Sequence, residues 1–181
     1  MKKVIVHFGA GEYLPGEHGP PVRPNESHII FDIKKPPQLH PVSQSLVQRG
    51  LRSPIFKLQD ASRTGLRVES ADVIHIHNVF SDPKTANRVD LLKEAARILK
   101  PNGEIFVGET LTPYVFTKEE LEKLAGQCGL KVETLVENSK RTARMAYTDS
   151  ERKITEGIMG PGGTSLKIIS GKMYLVKLTK S

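Results

Sequence analysis

The chain has 181 residues, 38% of them hydrophobic and 26% charged, a balance that can bury a core and that excludes a disordered or collagen-like polymer. Its single cysteine, Cys128, excludes an internal disulfide framework and a cysteine-rich zinc site. The formal charge is +7, and residues 138–181 carry +6 of it, with nine basic residues against Asp149, Glu151 and Glu156. No apolar run approaches the roughly 20 residues that a membrane-spanning helix needs. Met1-Lys2-Lys3 leads into a short apolar stretch that breaks at Gly9, without the h-region or cleavage site of a signal peptide. A cytoplasmic protein without membrane attachment is expected.

Five short apolar runs set the fold class. They are Val4 to Phe8, His28 to Ile33, Ser53 to Leu58, Ala71 to Ile76 and Glu104 to Gly108. Runs of this length are what strands of a parallel sheet look like when both faces are buried. From Gly11 to Ser27 the chain carries four prolines and three glycines, which forbid a continuous helix and predict a long ordered loop. A weaker helical pattern covers about Val42 to Arg49. The spacing of Val89, Leu92, Ala96 and Leu99 predicts a helix opened by Asp82-Pro83 and ended by Pro101-Asn102-Gly103. Thr117-Lys118-Glu119-Glu120 is a capping box, followed by Leu121, Leu124 and Cys128 on one face, with Gly129 as the stop.

Lys131 to Val136 and Lys172 to Leu178 alternate like strands, and read as an antiparallel pair added to the sheet edge. The 138–165 segment is an excursion between them. The expectation is one α/β domain over residues 1–181, a doubly wound and mostly parallel sheet with an antiparallel last strand.

Open sheets of this kind bind ligands outside the carboxyl ends of their strands. Gly9-Ala10-Gly11 ends the first strand, Asp32 the second, Asp60-Ala61 follows the third, and His75-Ile76-His77-Asn78 ends the fourth. Two glycines let the backbone approach a ligand closely. An acid after the second strand can accept both hydroxyls of a ribose, and one after the third can accept an exocyclic adenine amine. The combination points to a nucleoside ligand. A dinucleotide fingerprint is excluded by Leu14, three residues after Gly11, and a P-loop by the absence of Gly-Lys-Ser/Thr.

At these residues the sequence resembles the class I S-adenosylmethionine-dependent methyltransferases. Val4 to Gly11 stands where that family has its glycine-rich first motif, Asp32 where it has its ribose acid, and Asp60-Ala61 where it has its adenine contact. Ala71 to Ile74 matches its fourth strand. Leu91 to Glu104, with Leu99-Lys100-Pro101-Asn102-Gly103, matches its helix, turn and fifth strand. The resemblance implies a Rossmann-like fold, S-adenosylmethionine as cofactor, Gly9, Gly11, Asp32, Asp60 and Ala61 as its binding residues, and an antiparallel seventh strand at Met173 to Leu178. The first motif departs from the family: His7 and Tyr13 replace its acid and third glycine, and the proline-rich loop replaces its helix.

His75 and His77 lie on one face around Ile76, as candidates for a general base or a substrate contact. As metal ligands they lack a third partner, so no metal is expected. Tyr13 and Asn78 are candidates on the acceptor side. Arg141 and Arg144 could hold an anionic acceptor or an RNA backbone within 138–181. Cys128 reads as core. The main expectation is methyl transfer to an unidentified small-molecule, carrier-bound or RNA acceptor. The alternative is a non-catalytic binding or structural module of the same fold within a larger assembly; for an enzyme, either a large acceptor brings its own binding surface or a partner subunit completes the pocket.

Overall fold

The computed structural model describes residues 2–9, 25–33, 55–82, 85, 87–110, 116–138, 145–148, 154–157 and 173–181. Seven strands form one sheet: β1 (Lys3–Phe8), β2 (Glu26–Asp32), β3 (Ile55–Leu58), β4 (Ala71–His77), β5 (Leu99–Thr110), β6 (Leu130–Asn138) and β9 (Met173–Lys180). Their spatial order is β3-β2-β1-β4-β5-β9-β6. β1 to β5 are mutually parallel, and β9 runs antiparallel between β5 and β6. β6 and β9 are thus the expected antiparallel pair added at the β5 edge, with β9 inserted between β5 and β6. Within the 138–165 excursion, β7 (Met145–Thr148) and β8 (Ile154–Gly157) pair antiparallel as a separate two-stranded sheet.

Period-two alternation divides the side chains between two faces. Val6, Phe8, Phe31, Ile74, Ile76, Ile105, Val107, Val176 and Leu178 share a core with helices α1 (Arg88–Ile98) and α2 (Lys118–Gln127). α1 adds Leu91, Leu92, Ala95 and Ile98 to that core, and α2 adds Leu121, Leu124 and Ala125. The opposite face carries Ile5, His7, His28, Ile30, Val73, His75 and Phe106, with Ile30 fully buried.

The expected capping box of α2 is present, with Thr117 accepting from the Glu120 amide while the Glu120 carboxylate accepts from the Thr117 amide at 2.7 Å. Gly129, at φ +68°, ends that helix in the left-handed region that glycine enters at least cost. α1 departs from its expected bounds at both ends. Its N-cap is Asn87, not Asp82, because the Asn87 side chain accepts from the Asp90 amide. Its C-terminus is Ile98, because the carbonyls of Arg97 and Ile98 accept from Glu69 and Ser70, and Leu99 already pairs with Ala71.

Pro101-Asn102-Gly103 is thus a bulge inside β5, where residues 100–103 lie opposite Asp72 alone. The Lys100 ammonium meets the Asp72 carboxylate at 2.7 Å, and its other oxygen accepts from the Val4 amide at 2.8 Å. Burial opposes ionisation of Asp72, but Lys100, the Val4 amide and Lys3 together hold its carboxyl below the ordinary range. β2 begins at Glu26, two residues before the expected start, because pairing with β1 starts at Lys3 opposite Glu26. Gly11 to Pro24, Ser53-Pro54 and the expected helix over 42–49 lie outside the described residues.

Candidate active site

The parallel register brings the carboxyl ends of β1 to β5 onto one edge of the sheet. Phe8 lies opposite Phe31 and Ile76, Asp32 opposite Leu58, and His77 opposite Gly108. Gly9 leaves β1 at φ +70°, a backbone conformation that needs glycine, while its amide donates to the Phe31 carbonyl at 3.0 Å. Asp32 ends β2, and its carbonyl accepts from the Gln59 amide at 2.9 Å, which ties the β3 exit to the β2 exit. Asp60 caps the 3-10 turn Ala61–Arg63, with one carboxylate oxygen accepting from the Ser62 amide at 2.8 Å. Ala61, next in the chain, is buried in the core with Phe8 and Phe31. Gly9, Asp32, Asp60, Ala61 and Asn78 are therefore brought to one edge, as the sequence implies. Gly11, Tyr13, Arg141 and Arg144 lie outside the described residues.

Two carboxylates that sequence reading passed over hold the loops of this edge. Glu94 on α1 accepts the Thr64 amide at 2.9 Å and the Thr64 hydroxyl at 2.5 Å. Arg97 grips the same carboxylate with two nitrogens at 2.7 Å and donates to the Leu66 carbonyl at 2.8 Å. The loop that carries Asp60 and Ala61 is thereby fixed to α1. Arg97 above all, helped by the Thr64 donors, holds the Glu94 carboxyl below its ordinary value despite its burial.

Glu109, near the end of β5, has no solvent exposure. One of its oxygens accepts from the Val79 and Phe80 amides at 3.0 and 3.1 Å, and the other from the Ser81 amide at 3.1 Å. Burial raises its carboxyl above the ordinary range, against the pull of these donors. The clamp fixes the turn after β4, where Asn78 sits at φ +53° and donates its amide to the Gly108 carbonyl at 2.9 Å. Asparagine tolerates that conformation better than most side chains, so Asn78 has a backbone role at the position expected to face an acceptor. Nearby, Phe80 stacks on Phe116 at 5.2 Å, and the Arg88 guanidinium lies 5.3 Å from the Phe116 ring centre. The Tyr174 hydroxyl, pushed up by burial and then by Glu109, Glu120 and Glu119, donates to the Phe116 carbonyl at 3.2 Å.

His75 does not stand at the tip of β4. Its half-buried ring lies on the sheet face away from α1 and α2, stacked between His7 at 5.1 Å and Phe106 at 5.6 Å. His7 Nε2 lies 2.9 Å from His28 Nδ1, and His28 Nε2 lies 3.2 Å from a Glu26 carboxylate oxygen. Burial lowers the His28 ring below its ordinary value, against the opposing effect of Glu26. The alternation Glu26, His28, Ile30, Asp32 carries this array in the sequence, but it is visible only when the strand is begun at Glu26. Cys128 is half-buried against the core, as expected, and burial raises its thiol. No group of His, Cys, Asp or Glu among the described residues is arranged to hold a metal ion. No helix among them is long and apolar enough to cross a membrane.

The family model described as a methyltransferase domain matches residues 30–107, the segment from β2 through β5. No curated protein matches the sequence. Among solved structures, the chain is similar to the YcgJ protein of Bacillus subtilis, with TM-score 0.65 and 12% identity over 99% of this chain and 93% of that one. It is also similar to a SAM-dependent methyltransferase from Aquifex aeolicus, with TM-score 0.62 and 12% identity over 98% of this chain and 82% of that one. A third is magnesium protoporphyrin IX methyltransferase from Synechocystis with bound SAM, at TM-score 0.59 and 12% identity over 99% and 71% of the two chains. The parallel β3-β2-β1-β4-β5 sheet with its inserted antiparallel strand is the Rossmann-like fold that these methyltransferase structures share, and the segment 30–107 within it matches the methyltransferase-domain model.

Proposed function

We propose that the protein transfers the methyl group of S-adenosylmethionine to an acceptor held at the carboxyl edge of its sheet. The observation that carries this reading is the placement of two acids, Asp32 and Asp60, on the adjoining exits of β2 and β3, beside a glycine at positive φ on β1. This donor set fits a nucleoside. Asp32 would accept the ribose hydroxyls, and Asp60 the adenine amine, with Ala61 against the ring. Gly9 and Gly11 would admit the methionine portion.

The sulfonium of the bound cofactor supplies an electrophilic methyl group. The chain's own contribution is alignment of donor and acceptor and exclusion of water. His77, Asn78 and Tyr13 would line the acceptor side. Arg141 and Arg144 would meet an anionic acceptor such as RNA, from a region where Lys177 and Lys180 are already paired with Glu133 and Glu69.

The test is an acceptor screen with methyl-labelled S-adenosylmethionine, covering small hydroxylated compounds, carrier-bound substrates and RNA. Label transfer that needs the intact protein is the expected result. A folded protein that binds no S-adenosylhomocysteine at millimolar concentration would sink this reading and leave a non-catalytic module of the same fold.

A further inference from the structure

Arg88 opens α1, directly after the Asn87 cap, and its half-buried side chain reaches back to the turn that leaves β4. Its Nε donates to the Phe80 carbonyl at 2.6 Å. Its guanidinium lies 5.3 Å from the Phe116 ring centre, within cation–π range. Both supports are themselves fixed. The Phe80 amide donates to Glu109, and the Phe116 carbonyl accepts from the Tyr174 hydroxyl at 3.2 Å. The two phenyl rings are buried and stack on each other at 5.2 Å.

The guanidinium is therefore held at one nitrogen and packed against a ring, while its outer edge has no protein acceptor. Neither terminal nitrogen makes a hydrogen bond or ion pair among the described residues. Arg97, near the other end of the helix, shows the contrast: Nε and a terminal nitrogen both bond to Glu94, and the latter also to the Leu66 carbonyl. The nearby acids are engaged elsewhere. Glu109 accepts from three turn amides, and Asp90 is held by the Asn87 side chain.

The place of this edge is the acceptor side. Phe80 follows Asn78 by two residues, and Asn78 stands at the β4 exit with its amide on the Gly108 carbonyl. α1 starts at the same end of the sheet, since a helix joining the parallel strands β4 and β5 runs back from a carboxyl end.

We propose that Arg88 is a specificity-determining residue of this site, and that the methyl acceptor is a small molecule carrying a carboxylate. The proposal rests on the methyltransferase reading above. Arginine has donors only, and its terminal nitrogens form a planar fork that takes both oxygens of a carboxylate. One guanidinium charge is balanced by a carboxylate and exceeded by a phosphate dianion. Two parallel bonds set the plane of the carboxylate, so a fixed fork orients the acceptor as well as binding it.

Nitrogen NMR of the guanidinium groups tests the fork without a methyl acceptor. Benzoate, benzamide and phenyl phosphate are titrated into the wild type, with and without S-adenosylhomocysteine. Loss of one signal in Arg88→Lys assigns Arg88. The expected result is a saturable shift of that signal with benzoate, a weaker response to phenyl phosphate and none to benzamide. A signal that benzoate leaves in place, or that phenyl phosphate moves at lower concentration, would overturn the proposal. In the labelled-methyl screen, hydroxy and amino acids are paired with their amides, and RNA is included. The wild type should favour the acid of a pair at least about tenfold in kcat/KM, mainly through KM, and Arg88→Gln should bring the ratio near one. A merely structural Arg88 slows both members alike, so an unchanged ratio in the variant refutes the assignment, as does transfer to RNA in preference to every acid. The cofactor titration separates the two claims. A wild type that captures benzoate but binds no S-adenosylhomocysteine counts against the methyltransferase reading, whereas cofactor binding with a silent Arg88 counts against the fork alone.

Discussion

The Phe80 amide donates to the Glu109 carboxylate at 3.1 Å, from a turn on β4 to a side chain on β5 that water does not reach. The Val79 and Ser81 amides converge on the same group, so one buried carboxylate satisfies three consecutive donors. Removing it leaves all three without their acceptor.

Glu109→Ala should therefore lower unfolding stability by about 2–3 kcal/mol, and Glu109→Gln by about 1 kcal/mol, since the amide keeps one acceptor oxygen. Urea unfolding measures both. Burial raises the folded-state carboxyl above 4.5, so its contribution is largest below that value and declines as the pH rises through the folded value. Relative to Glu109→Gln, the wild type should lose stability across that window. A loss under 0.5 kcal/mol for Glu109→Ala would show that the turn holds itself.

Glu94 makes the opposite prediction for pH. Arg97 and Thr64 depress its carboxyl below 4.5, so its stabilisation is present above that value and disappears as the pH falls through the folded one. Glu94→Ala should cost about 2 kcal/mol at neutral pH and little in acid. Because the loop it holds carries Asp60 and Ala61, S-adenosylhomocysteine affinity should fall several-fold as well. Unchanged affinity in a destabilised Glu94→Ala would separate the loop from the ligand.

The fold class was legible in the sequence because each of the five parallel strands is a continuous apolar run, and the capping box at Thr117 marks its helix without tertiary help. The α1 bounds were not. Asp82-Pro83 is a good local start and Pro101-Asn102-Gly103 a good local stop, but Asn87 takes the cap and β5 pairing captures Leu99. Asp32, Asp60 and Gly9 were legible because strand ends carry them. Glu94 and Glu109 were not, since a carboxylate that clamps a distant loop looks in sequence like any surface acid. Glu26 was passed over for the related reason that strand pairing at Lys3, not local propensity, makes it extended.

Gly103 tests the bulge. A Cβ there would meet the fully buried Leu99 Cδ1 at 2.7 Å and the Asp72 carbonyl oxygen at 3.1 Å. Gly103→Ala should cost about 1–3 kcal/mol by overpacking. A thermal shift indistinguishable from wild type would mean that residues 100–103 take up the methyl group by moving.

The His28 ring gives a third pH signature. Its folded value lies below 6.5, so the unfolded chain binds more protons between the two values, and stability should rise with pH through that window. His28→Phe should abolish this part of the slope in chemical denaturation series. A slope that persists in the variant would assign it to another group.

The central claim is that the exits of β1, β2 and β3 hold an adenosyl ligand, and calorimetric titration of S-adenosylhomocysteine into wild type and Asp32→Ala tests it most directly. Loss of charge-assisted bonds to two ribose hydroxyls amounts to about 2 kcal/mol or more, which is at least about 30-fold in affinity. The account predicts binding by wild type and at least that loss in the variant. Equal affinity in two folded proteins would contradict it.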